Sequence, residues 1–244
     1  MSDQYVFGSG QLYQTPVGGG APVRFGTLQD VNIDFDGDMK ELFGQYGFPL
    51  AVARGKQKVT IKAGNGAFNI PLYNNLYFGD TAPATGGYAQ ALNESGMVPA
   101  TSTYTVTVAN AAKFYMDLGV TLAATGAALT QVASAPATGQ YSVAAGVYTF
   151  NLAQASAAVV INYIYTTTTG TTLTLANQLI GTQPKFRLLL SETFGGNWLI
   201  VQLNSCVCGK LTMPLKLDDF MMNDLEMSAQ VDATGTLGWI STSV

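Results

Sequence analysis

The sequence predicts a mainly β fold, and three observations predict it. Apolar and polar residues alternate with a period of two in segment after segment, glycine- and proline-rich stretches separate those segments, and only one stretch carries the start and stop signals of a helix. At 244 residues the chain is long enough to remove roughly 70% of its unfolded surface from water, so a substantial core is expected.

The elements follow in order. Residues 1–26 read as an irregular arm: Gly8, Gly10, Pro16, Gly18, Gly19, Gly20 and Pro22 interrupt regular structure. Tyr5, Phe7, Leu12, Tyr13 and Phe25 offer apolar anchors that a neighbouring subunit would order. Val31, Ile33 and Phe35 then alternate with Asn32, Asp34 and Asp36, and Val59 and Ile61 sit between Lys58, Thr60 and Lys62; both are half-buried strand patterns. Between them, residues 37–55 read as an extended loop carrying Leu42, Phe43, Tyr46, Phe48 and Leu50. Five large apolar groups on one loop imply a surface for them to pack against, in this domain or in another copy.

Residues 69–78 are the one predicted helix. Asn69 is suited to cap it, Pro71 fits its first turn, Leu72, Leu76 and Tyr73 face a sheet, and Gly79 ends it. Residues 80–100, rich in Ala, Gly, Thr and Pro, read as a linker. Short strand patterns resume at Tyr104–Val108, Phe114–Met116, Val120–Leu122, Leu129–Val132, Tyr141–Val143, Val147–Phe150 and Val159–Tyr165, with a hairpin turn at Ala144-Ala145-Gly146. Residues 96–168 therefore form an inserted β subdomain. In the last third, Phe186, Leu188 and Leu190 lead to a hairpin signal at Gly195-Gly196-Asn197, and Trp198–Leu203 returns with both faces apolar. A strand through Leu211–Leu217 is confined to an edge or bulge by Pro214. Leu225–Val231 alternates again, and residues 231–235 turn the chain toward Leu237 and Trp239, with both tryptophans expected in the core.

Composition narrows the function. Hydrophobic residues make up 48% and charged residues 11%, against about 25% charged in a typical soluble domain. From Leu118 to Pro184 there is no charged residue. A neutral solvated sheet surface and burial against another subunit both fit that stretch. A surface so poor in charge is expected to be covered by copies of the same chain. Eleven basic residues and a net charge of −4 lack the footprint of a nucleic-acid binder. The Met-Ser-Asp-Gln-Tyr start has no basic or apolar run, and Ala157–Tyr165 is about half the length of a membrane helix. Synthesis in a cytoplasm, without a membrane partner, is expected.

The absence of histidine removes the commonest general base and the Ser-His and Cys-His nucleophile systems. Asp34, Asp36, Asp38 and Glu41, and Asp218, Asp219, Asp224 and Glu226, are the two carboxylate clusters. Glycoside hydrolysis or calcium binding is the chemistry open to them, and solvated strand faces and turns are the simpler reading. Cys206 and Cys208, one residue apart, read as small buried apolar groups. No catalytic, cofactor or metal site is expected.

Three stretches carry a resemblance. One runs from Gly26-Thr27-Leu28-Gln29-Asp30-Val31 through Asp36-Gly37-Asp38-Met39-Lys40-Glu41-Leu42-Phe43-Gly44-Gln45 to Phe48-Pro49-Leu50-Ala51-Val52-Ala53-Arg54-Gly55-Lys56. The second is Gly139–Phe150 with Ile161–Tyr165, and the third is Lys216–Phe220 followed by an alternating strand and Asp232-Ala233-Thr234-Gly235. In pattern and order these resemble the major tail protein, or tail tube protein, family of long-tailed bacteriophages. The resemblance implies a tail-tube-type β-sandwich or half-barrel with one flanking helix, formed by residues 1–95 and 169–244, with residues 96–168 inserted on the tube exterior. It implies stacked, hexameric rings, a lumen that passes double-stranded DNA without binding it, and tape-measure, terminator and tip or baseplate proteins at the tube ends. Residues 37–55 match the family's stacking loop, which makes Leu42, Phe43, Tyr46, Phe48 and Leu50 candidate inter-ring contacts; Asp34 and Glu226 are candidates for the lumen. A capsid decoration or fibre component and a surface ligand-binding β module are the alternatives.

Overall fold

The computed structural model describes residues 5–243, so residues 1–4 of the expected arm lie outside the described residues. The chain is mainly β and falls into two compact units, Met1–Pro83 with Leu173–Val244, and Ala84–Thr172. Among the described residues no helix is long and apolar enough to cross a membrane.

In chain order the first unit opens with β1 (Gln11–Pro16), β2 (Val23–Arg24), β3 (Leu28–Phe43), β4 (Pro49–Asn65) and a short helix α1 (Ile70–Tyr73). The second unit holds β5 (Ala84–Met97), β6 (Thr105–Thr107), β7 (Phe114–Leu122), β8 (Thr130–Gln131), β9 (Gln140–Ala144), β10 (Val147–Phe150) and β11 (Ala158–Thr172). The chain returns to the first unit with β12 (Phe186–Phe194), β13 (Asn197–Thr212), β14 (Asn223–Gln230) and β15 (Gly238–Thr242).

The core unit is one antiparallel sheet of eight strands, seven of them in the order β2-β1-β12-β13-β14-β4-β3 and the eighth, β15, beside β13. β15 pairs Leu199–Leu203 of β13, and β14 takes β13 from Ser205 onward. The β12–β13 hairpin closes through Gly195-Gly196, with φ of 61° and 87°. That left-handed pair is what a two-residue turn needs to match the twist of its strands. Leu12, Ile61, Phe186, Leu188, Leu225 and Met227 bury one face of this sheet, and Leu72, Tyr73 and Leu76 close over it.

Leu72–Leu76 reach that position through the predicted helix, whose ends form as the sequence indicates. Asn69 Oδ1 accepts the Leu72 N–H at 3.0 Å, and Gly79 takes the left-handed φ of 64°. Only one turn is α-helical; Asn74–Phe78 continues as a wider π turn, closed by the Gly79 N–H donating to the Asn74 carbonyl at 2.7 Å. The Asn74 side chain fixes this end, accepting from Asp80 N–H at 2.9 Å and donating to its carbonyl at 3.0 Å.

Several expectations are corrected. Gln11–Pro16 is a strand of the chain's own sheet, paired to β12, and Leu12 and Phe25 lie in its core. The arm's glycines punctuate a strand that had a partner within the chain. Residues 84–97 of the expected linker form β5, paired along its length with β11; tertiary pairing overrides the weak β propensity of Ala and Gly. The inserted unit therefore spans 84–172 rather than 96–168, since it begins and ends where Ala84 pairs with Thr172. β13 stops at Thr212, before Pro214, and Leu215 and Leu217 are exposed. Trp198 and Trp239 are each 45% exposed rather than core.

The inserted unit is a small β-sandwich. A three-stranded sheet, β5-β11-β7, and a four-stranded one, β6-β10-β9-β8, share one core built from Val120, Tyr141, Tyr148, Phe150, Val159, Ile161 and Tyr163. The β9–β10 turn is Ala145-Gly146, with φ of 48° and 77°, at the predicted place. The buried tyrosine hydroxyls need acceptors. Tyr148 donates to Asp117 Oδ1 at 2.7 Å, Tyr141 donates to Asp117 Oδ2, and Tyr163 donates to Glu94 Oε2 at 2.7 Å. Burial, followed by these carboxylate contacts, pushes the ionisation of all three above the ordinary tyrosine range.

Asp117 is the shared acceptor of two buried hydroxyls. Asp117→Ala is expected to cost about 1–3 kcal/mol for each stranded hydroxyl, read as a lower urea midpoint by tyrosine fluorescence. An unchanged midpoint would show that the two hydroxyls find other partners.

Candidate functional site

The 37–55 segment is not a loop. It is the distal part of the β3–β4 hairpin, with Met39 opposite Arg54, Glu41 opposite Val52, Leu42 opposite Ala51 and Phe43 opposite Pro49. Residues 44–48 make the turn. β14 pairs β4 only from Val59 to Asn65, so beyond Val59 the hairpin is a two-stranded ribbon with no third strand. Such a ribbon is marginally stable alone in water.

Its apolar residues lie open. Leu42 is 62% exposed, Phe43 54%, Tyr46 73%, Phe48 85% and Leu50 70%, and Met39 and Val52 are exposed as well. All five sequence-predicted contact residues are thus brought to one hairpin end. The ion pair on the ribbon, Lys40 to Asp38 at 3.9 Å, is long and solvent-exposed and adds little. The ribbon has the composition of a contact surface rather than of a solvated turn.

The sheet face opposite the core is polar. Asn32, Lys62, Glu226 and Lys210 lie side by side across β3, β4, β14 and β13, and Asp34 lies in the next row beside Thr60 and Ser228. Asp34 and Glu226, the two lumen candidates, therefore share one face. Glu226 has a lysine directly opposite on each neighbouring strand, an arrangement that offsets charge across the sheet. Asp36 faces Lys58. The face is mixed in sign rather than basic.

A third feature escaped the sequence. Where β4 ends, Phe68, Ile70, Tyr73, Phe78, Leu173, Leu175 and Met213 line an open apolar cavity of about 180 Å³. Tyr73 holds its floor: its hydroxyl donates to the Ala67 carbonyl at 2.9 Å and accepts from the Asn65 and Asn223 amides at 3.2 and 2.7 Å. Gln178 Nε2 donates to the Phe78 carbonyl at 2.9 Å and to Asp80 Oδ1 at 2.6 Å, which ties the 173–182 segment beside it. Leu215, Leu217 and Phe220, in the 213–222 segment that leaves β13 next to it, are 87%, 97% and 88% exposed. The sequence signal was the alternation at Leu211–Leu217, which reads as a strand until Pro214 is seen to end it.

The carboxylate clusters make ordinary surface contacts. Asp36 Oδ1 accepts its neighbour's Gly37 N–H at 2.8 Å, Asn32 Nδ2 donates to Asp34 at 3.4 Å, and Lys216 lies 3.5 Å from Asp219. Among the described residues, no three Asp, Glu or Cys side chains converge as a metal-binding group. Compared with known proteins, the chain matches no family model and no curated protein.

Cys206 and Cys208 are buried, free thiols. Burial pushes Cys206 up to about 12 and Cys208 up to about 11. Both then remain neutral thiols at about pH 8, where an ordinary cysteine begins to form the reactive thiolate. Ellman's reagent is expected to detect neither in the native protein and both after denaturation; prompt labelling of the native chain would show that the core opens around β13.

Proposed function

We propose that this chain is a structural virion protein, the subunit of stacked rings that form the tail tube of a long-tailed phage, and not an enzyme. The observation that carries the reading is the β3–β4 ribbon: an extended, two-stranded arm whose large apolar side chains are exposed. An arm of this kind costs solubility in a monomer and is accounted for when a second copy covers it. The match of pattern and order with tail tube proteins adds to this, because the arm occupies the place of that family's stacking loop.

The polar sheet face supports the second half of the reading. Lysines and carboxylates alternate across it, so phosphates sliding past meet no concentrated positive patch to hold them. In this reading Asp34 and Glu226 line the lumen, double-stranded DNA passes without specific binding, and the rings, hexameric in the resembling family, meet other tail proteins only at the tube ends. The protein then resides in the virion tail after synthesis in the host cytoplasm.

Shortening the hairpin tests the reading. Replacing residues 40–53 with Asn-Gly joins Met39 to Arg54, which already face each other, through a turn suited to two-residue hairpins. The variant is expected to keep the far-ultraviolet spectrum and thermal midpoint of the parent, while negative-stain microscopy shows tubes for the parent and none for the variant. Tubes of normal length from the shortened chain would remove the ribbon from stacking.

A further inference from the structure

Two of the exposed apolar surfaces of the core unit are attached to β4. One is the hairpin end, with Phe43, Tyr46, Phe48 and Leu50; it precedes β4 and pairs across its first residues. The other is the cavity reached just after Asn65, where Phe68, Ile70, Phe78, Leu175 and Met213 surround Tyr73. Fifteen residues separate Leu50 from Asn65, a strand length of up to roughly 50 Å at about 3.3 Å per residue. A paired strand cannot fold back to join its own ends. Neither surface can cover the other within one chain.

Two copies can do what one cannot. We propose that the hairpin end of one copy docks into the α1 cavity of the next, with an aromatic side chain of residues 43–48 seated over Tyr73. The proposal rests on the stacked-ring reading and names the surface that receives the ribbon. A cavity of about 180 Å³ is smaller than the roughly 300–1,000 Å³ of small-molecule sites and suits one or two large side chains. Its rim is tied down by Asp80, Gln178 and Asn74, as described above, so the receiving surface is formed before the partner arrives.

The symmetry of the contact follows. The donor and acceptor surfaces are different patches on the same molecule, so the interface is heterologous, and a stack that does not close on itself leaves donors free at one end and acceptors free at the other. Because the two patches lie at opposite ends of one strand, the repeat advances along the direction of β4. Growth is open-ended, as a tube requires, and each added layer meets the same pair of surfaces.

Cysteine cross-linking tests the docking. Phe48→Cys is combined with Leu175→Cys, or with Met213→Cys, in the full chain, and assembled protein is oxidised with diamide. All three positions are exposed, and the native thiols are buried. A denaturing, non-reducing gel is expected to show a ladder of dimers, trimers and longer chains for at least one double variant, and monomer for each single variant. Dimers from Phe48→Cys alone, with no ladder from either pair, would mean that hairpins pair with each other and would overturn the proposal. So would tubes that form normally while no pair cross-links, although the stacked-ring reading would stand. If the unmodified chain forms no assemblies at high concentration, that reading fails, and this one with it.

Discussion

The feature on which the rest depends is where the pairing of β4 stops. From Val59 to Asn65 it is held on both sides, by β3 and β14, and its side chains alternate between a buried and a polar face. Beyond Val59 it has β3 alone among the described residues, and its large apolar side chains are exposed. A third strand would have made the ribbon an ordinary part of the sheet. Its absence turns a structural hairpin into an arm whose large side chains stand in water.

That boundary also explains what could be read from sequence. Where one face is at least half-buried the period of two is clean, as in Val31-Ile33 and Val59-Ile61, and those strands were legible. On the ribbon, apolar residues occupy both faces, so alternation vanishes and the stretch reads as a loop. The five large apolar residues were legible as groups in need of packing; their strand geometry and their exposure were not. The same logic applies to β5, whose Ala- and Gly-rich sequence is a strand only because β11 lies beside it.

Other elements were fixed by local chemistry and read correctly. Asn69, Pro71 and Gly79 set the ends of the helical segment, and Gly195-Gly196 and Ala145-Gly146 set their hairpins through left-handed backbone. The α1 cavity could not be read, because it assembles Phe68, Leu175 and Met213 from segments more than 30 residues apart in sequence, none of which carries a local signature. Nor could the pairing of Asp117 with Tyr141 and Tyr148, which depends on two sheets meeting. Long-range partnership is what a single sequence conceals.

The central claim is that a second copy covers the ribbon, and amide hydrogen exchange across residues 39–54 tests it most directly. The account predicts rapid exchange in dilute protein and strong protection at concentrations where assemblies form, while the amides of β12 and β13 stay protected in both. Equal exchange of residues 39–54 in the dilute and assembled states would contradict it.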